Sequence, residues 1–168
     1  NAGNNKDNLN KEIIAAAGEG RQRLVQALIT AGADLETRDE DSNTALHISA
    51  EKGHESVVRI LLQLGIDVNI RDKYNYTPLM LAATCGHHKI AKLLISRGAD
   101  LNIQNKGVNT ALMYAAFWGH ISIACDLLEA GADRDIKDDD NETAIEKAQK
   151  KGHQDIVKIL ERSKIQAD

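Results

Sequence analysis

The chain has 168 residues, 42% of them apolar but only 3% aromatic, so it can bury a core only by packing Leu, Ile, Val and Ala. A net charge of −4 and a pI near 5.9 argue against a nucleic-acid backbone as the main partner, because phosphate binding needs a basic stripe. No apolar run approaches the ~18–20 residues of a membrane span, and residues 1–10 lack the apolar centre of a secretion signal.

The chain begins at Asn1 rather than Met, which reads as an excised or processed segment with neighbouring domains missing. The first few residues and the last four or so are expected to fray. Ile13-Ile14-Ala15-Ala16-Ala17, then Leu24-Val25 and Ala27-Leu28, predict a pair of short helices, with Lys11 at the position later pairs give to Thr. Thr44 opens the next pair as an N-cap. Leu46 and Ile48 follow, Ser49-Ala50 keep the helix slim, and Gly53 ends it with the freedom a C-cap needs. The second helix of that pair carries Val57, Val58, Leu61 and Leu62 on one face.

The following pairs repeat this order. Thr77 is followed by Pro78 at the first helical position, then Ala82-Ala83, Gly86, and Ile90, Ala91, Leu94 and Ile95. Thr110 leads to Ala115-Ala116, Gly119, and Ile123, Ala124, Leu127 and Leu128. The last pair is more polar, with Glu146, Lys147, Gln149 and Lys150 on its first helix and Ile156, Val157 and Leu160 on its second. Residues 109–120 slide back by 33 onto 76–87, by a further 33 onto 43–54, and forward by 33 onto 142–153. A fixed period of this length is the signature of stacked supersecondary units.

The motif Thr77-Pro78-Leu79-Met80, its variant Thr44-Ala45-Leu46-His47, and the Gly-His pairs at 53–54, 86–87, 119–120 and 152–153 resemble the ankyrin repeat. The resemblance covers nearly the whole chain. It implies an all-α solenoid in one domain, helix-turn-helix units joined by β-hairpin-like loops. The units expected are an N-terminal cap at 6–38, full repeats at 39–71, 72–104 and 105–137, and a C-terminal cap at 138–168, the caps differing as terminal units must. It also implies a monomeric, non-catalytic module that binds another protein. Asn69 and Asn102, each with a Leu eight residues upstream, are similar to ankyrin asparagines that are hydroxylated in animals.

Two departures from that pattern stand out. The hairpin position that normally holds Gly has Ser42, Asn75, Val108 and Asn141; Val does not tolerate a left-handed backbone, so the hairpin at Gly107-Val108 is expected to differ in shape. The His of the motif survives only as His47, and Met80, Met113 and Glu146 are expected to lose its bond to Thr.

Catalytic signatures are missing: no phosphate-binding loop, dinucleotide fingerprint, nucleophile elbow or two-His zinc helix. His54, His87, His120 and His153 recur at the repeat spacing, which argues for a structural role in the turn. Cys85, His87 and His88 form the one cluster with metal-binding residue types, without a second pair at ligand spacing. The acidic run 138–142 lacks the Gly and terminal Glu of a calcium loop. Cys85 and Cys125 make no disulfide framework and fit a reducing compartment, the cytosol. No cofactor is implied.

The repeat supplies its own control, since equivalent positions share a structural job. Tyr74 stands where other units have Asp41, Gly107 and Asp140, and Tyr76 where they have Asn43, Asn109 and Glu142. Phe117 matches Glu51, Thr84 and Lys150, and Trp118 matches Lys52, Cys85 and Lys151. By the resemblance these are hairpin tips and the exposed side of the first helices, on the concave face. Four aromatics bury roughly 600–1,000 Å², comparable with the ~800 Å² of one side of a standard interface. Tyr114 matches Ile48 and Leu81 and suits the core as well as a partner. With Lys106, Asn109, Thr84 and Cys85 at or beside the same positions, these residues form the candidate partner-binding set. The acidic hairpins at 39–41 and 138–142 suggest a partner with an apolar knob and basic flanks. A second reading makes the chain the targeting or regulatory segment of a larger enzyme or channel, and a third places a metal or small molecule at Cys85, His87 and His88.

Overall fold

The structure, a computed structural model, describes residues 2–165, with side chains up to 162. Asn1 and residues 166–168, on which part of the expected fraying falls, lie outside the described residues. Ten α-helices and no strand are present among the described residues, arranged as five consecutive pairs. They are α1 (Ala2–Gly18) with α2 (Gln22–Thr30), α3 (Ala45–Lys52) with α4 (Glu55–Gln63), α5 (Pro78–Cys85) with α6 (His88–Ser96), α7 (Ala111–Trp118) with α8 (Ile121–Glu129), and α9 (Ala144–Lys151) with α10 (Gln154–Ile165).

Local chemistry sets these boundaries. The hydroxyls of Thr44, Thr77 and Thr110 accept the N–H of His47, Met80 and Met113, satisfying donors that a helix start leaves free. His47 adds a second bond, its Nδ1 accepting the Thr44 N–H at 3.1 Å. Glu146 keeps that bond rather than losing it: its carboxylate accepts both the N–H and the hydroxyl of Thr143, and these bonds hold the carboxyl below its ordinary range. Only Met80 and Met113 leave the second bond unmade, and both are buried in the core instead.

The second helices bury Val57, Val58, Leu61, Ile90, Leu94, Ile123, Leu127, Ile156 and Leu160. On the first helices Ala50, Ala82, Ala83, Ala115, Ala116 and Ala148 are fully covered, which lets neighbouring pairs approach closely. Histidine then ties each unit to the one before. Nε2 of His54, His87, His120 and His153 lies 2.9, 2.8, 3.1 and 3.0 Å from the carbonyls of Gly18, Glu51, Thr84 and Phe117. The turn role expected from the spacing is therefore a bond between units. It explains Gly86 as well: φ is +75°, and a Cβ there would lie 2.5 Å from the His120 ring.

The loops are tied in the same serial way. Lys73 N–H donates to Asp41 O and Lys106 N–H to Tyr74 O. Asn69 and Asn102 accept, through Oδ1, the N–H of Asp100 and Asp133 in the next unit. Inside each hairpin an Asp or Asn carboxamide or carboxylate oxygen, at 39, 72, 105 and 138, accepts backbone N–H groups two to four residues on.

Two expectations are corrected. α1 does not start near Lys11 but at Ala2, because residues 2–10 contain no Pro or hairpin signal to stop it. The Val108 hairpin keeps the shape of its sisters: φ is 59° at Val108 against 60°, 61° and 64° at Ser42, Asn75 and Asn141. The bonds Asn105 N–H to Asn109 O and Val108 N–H to Asn105 O hold it there. A β-branched residue in this region is strained by about 1–3 kcal/mol.

Val108→Asn is therefore expected to stabilise the chain by about 1 kcal/mol, raising Tm by roughly 2–4 °C; an unchanged or lower Tm contradicts the strain. His47 gives a pH prediction. Burial pushes its pKa below 6.5, the Tyr76 carbonyl opposing, so the unfolded chain takes up the proton more readily. Its contribution to stability is complete above 6.5 and is lost as pH falls below that value. Between about pH 7.5 and about pH 5.5 the wild type should lose more unfolding free energy in urea than His47→Met; equal losses contradict this.

Candidate partner-binding surface

α3, α5, α7 and α9 pack on one another more closely than α4, α6 and α8 do, as their covered alanines allow. The stack therefore curves towards the first helices, and its hollow side carries their free faces and the hairpin tips. The candidate residues fall into three groups there.

Tyr74 forms the first, at a hairpin tip. It is 50% exposed, with Lys73 Nζ 5.0 Å and Lys106 Nζ 6.0 Å from its ring centroid. Those distances fit cation–π contact. The Lys73 ammonium is also bound by the Asp41 carboxylate, which raises its pKa.

Tyr76 and Tyr114 form the second group. Their rings lie 5.7 Å apart and their hydroxyls share a hydrogen bond of 2.8 Å. Both are half-buried against the core. Asn105 Nδ2 donates to the Tyr114 hydroxyl at 2.7 Å, and Asn105 itself is only 5% exposed. Burial, then the bond to Tyr76, pushes the Tyr114 pKa well up, so it stays a neutral phenol. Asn109 closes this hairpin, its N–H donating to Asn105 Oδ1 and its Nδ2 to Gly107 O. Tyr76 and Tyr114 are thus largely packing residues that floor the hollow.

Phe117 and Trp118 make the third group, in T-shaped contact at 4.9 Å with planes at 81°. Trp118 is 52% exposed and Phe117 half-buried, with Lys151 Nζ 4.5 Å from the Phe117 centroid. Thr84 bonds back to Met80 O at 2.8 Å, while Cys85 beside it is exposed.

Asn105 is a site residue that the sequence reading passed over. Its signal was an Asn where sister units have Asp39, Asp72 and Asp138, nine residues before Tyr114. The same two positions in the last unit hold Asp138 and Lys147, which form an ion pair. Partial burial would raise the Asp138 carboxyl, but the Lys147 bond and backbone N–H groups outweigh it and hold it low.

Burial, then the carboxylates of Glu51 beside Cys85 and of Glu129 and Asp126 beside Cys125, pushes both thiols up, away from the thiolate that nucleophilic chemistry needs. His87 is bonded to Glu51 O and His88 to Asp126 at 2.7 Å, so the two rings beside Cys85 are directed to different partners. Among the described residues no three His, Cys, Asp or Glu are grouped to hold a metal ion. Among the same residues no helix is long and apolar enough to cross a membrane.

Helix pairs repeated at one interval, slim on the inner side and tied by one histidine each, define a helical repeat protein. A family model described as ankyrin repeats (3 copies) matches residues 13–105 and 97–168. The chain belongs to the ankyrin repeat family, whose members are generally protein–protein interaction modules and typically non-catalytic. No curated protein matches the chain.

Tyr114→Phe removes the acceptor of the buried Asn105 Nδ2 and the partner of the Tyr76 hydroxyl. It is expected to cost about 1–3 kcal/mol in urea unfolding; a loss under about 0.5 kcal/mol contradicts the network.

Proposed function

We propose that the chain is a non-catalytic interaction module that grips a partner protein or peptide on the hollow side and hairpin tips of its middle units. The observation that carries this reading is the half exposure of Tyr74 and Trp118 at positions where sister units hold Asp41, Gly107 and Asp140, or Lys52, Cys85 and Lys151. Tyr and Trp are the usual anchors of interfaces. Around them Phe117, Lys106 and Cys85 form the accessible rim, and Tyr76, Tyr114, Asn109 and Thr84 form the supporting floor. The unpaired thiols support a reducing, cytoplasmic setting.

The test compares three forms in affinity capture with quantitative mass spectrometry: wild type, Tyr74→Ala with Trp118→Ala, and Leu64→Ala with Ile121→Ala. The last pair removes the other exposed large apolar residues, on α8 and at the end of α4. With helicity intact in all three, loss of two anchors worth ~2 kcal/mol each weakens affinity for the specific partner by roughly a thousandfold, and its retention is lost. The control pair leaves retention unchanged. Equal retention by all three contradicts the site.

A further inference from the structure

Resting on that reading, we infer that the occupant is an extended peptide segment with carboxylates on both sides of a short apolar run. The acidic hairpins, which in the sequence suggest basic flanks, are already engaged. Asp39 accepts the N–H groups of Asp41 and Asn43, and Asp41 binds Lys73. Asp138 binds Lys147 together with the N–H groups of Asp140 and Glu142, and Glu142 binds Lys150.

Two cations at the aromatic groups are not engaged in this way. Lys73 and Lys106 occupy the same place on successive hairpins, and each N–H bonds to the preceding tip, Asp41 O at 3.2 Å and Tyr74 O at 3.0 Å. In the first case that preceding residue offers a carboxylate, and the ammonium takes it. In the second it offers a phenol ring, and among the described residues Lys106 has no ion pair. Lys151 repeats the pattern at the other end of the hollow. It lies on Phe117, which stands where Glu51 stands two units earlier, and it too has no ion pair among the described residues. Nearby Glu51 and Lys52 act on Cys85 with opposite signs, Glu51 the more strongly. Glu40 and Asp139 carry the remaining carboxylates in the Lys106 register, on the first and last hairpins.

The unit at 105–137 therefore has a cation, Lys106, at its tip and apolar rings along its inner helix, and Lys151 of the following unit sets a second cation beside Phe117 at its base. Helix α7 has eight residues, and a helix of that length rises ~12 Å. About four residues of extended chain, at ~3.3 Å each, span that separation. Val108 sits at the same tip, half-buried and held at a φ of 59°, and adds an apolar contact where sister units carry Ser or Asn.

Random twelve-residue peptides displayed on phage, selected in parallel on the immobilised full chain and its variants, test this. Wild type is expected to enrich peptides with carboxylates about four residues apart around apolar side chains. Synthetic versions should bind Lys106→Glu with Lys151→Glu about tenfold more weakly, roughly threefold for each exposed charge. They should also be lost on Tyr74→Ala with Trp118→Ala. Enrichment of basic or uncharged peptides that still need Tyr74 and Trp118 overturns the charge inference and leaves the surface standing. Peptides that bind Tyr74→Ala with Trp118→Ala unchanged overturn the surface and this inference together. No enrichment over the bare support overturns the inference that a linear segment is bound.

Discussion

Each helix pair in this chain is too small to bury its own apolar faces, so the contact between neighbouring units carries the fold. That contact is made by three features acting together. Alanines at 82, 83, 115 and 116 are fully covered and let inner helices come close. A histidine at the start of each second helix from α4 onwards reaches back to a carbonyl of the preceding unit. A glycine at the preceding turn leaves room for that ring, and no side chain would fit where His120 meets Gly86. Because the link is the same at every step, the residues that make it are the same at every step.

That regularity gives meaning to the residues that vary. Positions 74 and 117 join the inter-unit link only through their backbone carbonyls, and the side chains at 74, 117 and 118 make none of its hydrogen bonds, so the stack tolerates Asp, Gly, Glu, Lys, Thr or Cys there in other units. An aromatic ring at such a position is not required by folding. Tyr76 differs: its hydroxyl bonds to Tyr114, which bonds to Asn105, and the three side chains lock one hairpin against the next unit's helix. The unit at 105–137 has replaced an aspartate and an aliphatic residue with a neutral polar pair, and the last unit keeps the aspartate, Asp138, and replaces the aliphatic residue with Lys147. Both solutions pair the hairpin's turn residue with the helix nine residues on, and only the neutral one leaves a surface that favours apolar contact.

The repeat was legible in the sequence because its punctuation is local. Threonine caps, glycine stops and histidines recur at one spacing, and each acts within a turn or a neighbouring turn. The start of α1 was not legible, since nothing in residues 2–10 marks a boundary and Lys11 imitates a missing cap. The left-handed Val108 was not legible either, because its conformation is imposed by hairpin bonds that outweigh its own preference. Among the candidate residues, exposure of Tyr74 and Trp118 followed from comparing units. The Tyr76–Tyr114–Asn105 network did not, because it joins positions 38 and nine residues apart that only the stacked geometry brings together. The bonds of Asp41, Asp138 and Glu142 to Lys73, Lys147 and Lys150 were not legible for a related reason: they join positions eight to 32 residues apart that the folded hairpins bring together.

The central claim is that the stack completes itself without covering its largest ring. Trp118 is the only tryptophan and is 52% exposed, so acrylamide quenching of its fluorescence in the free chain reports on that residue alone. The account predicts a quenching constant roughly half that of the urea-unfolded chain, matching the 52% exposure. A constant near zero would place the indole beneath its own loops and contradict it.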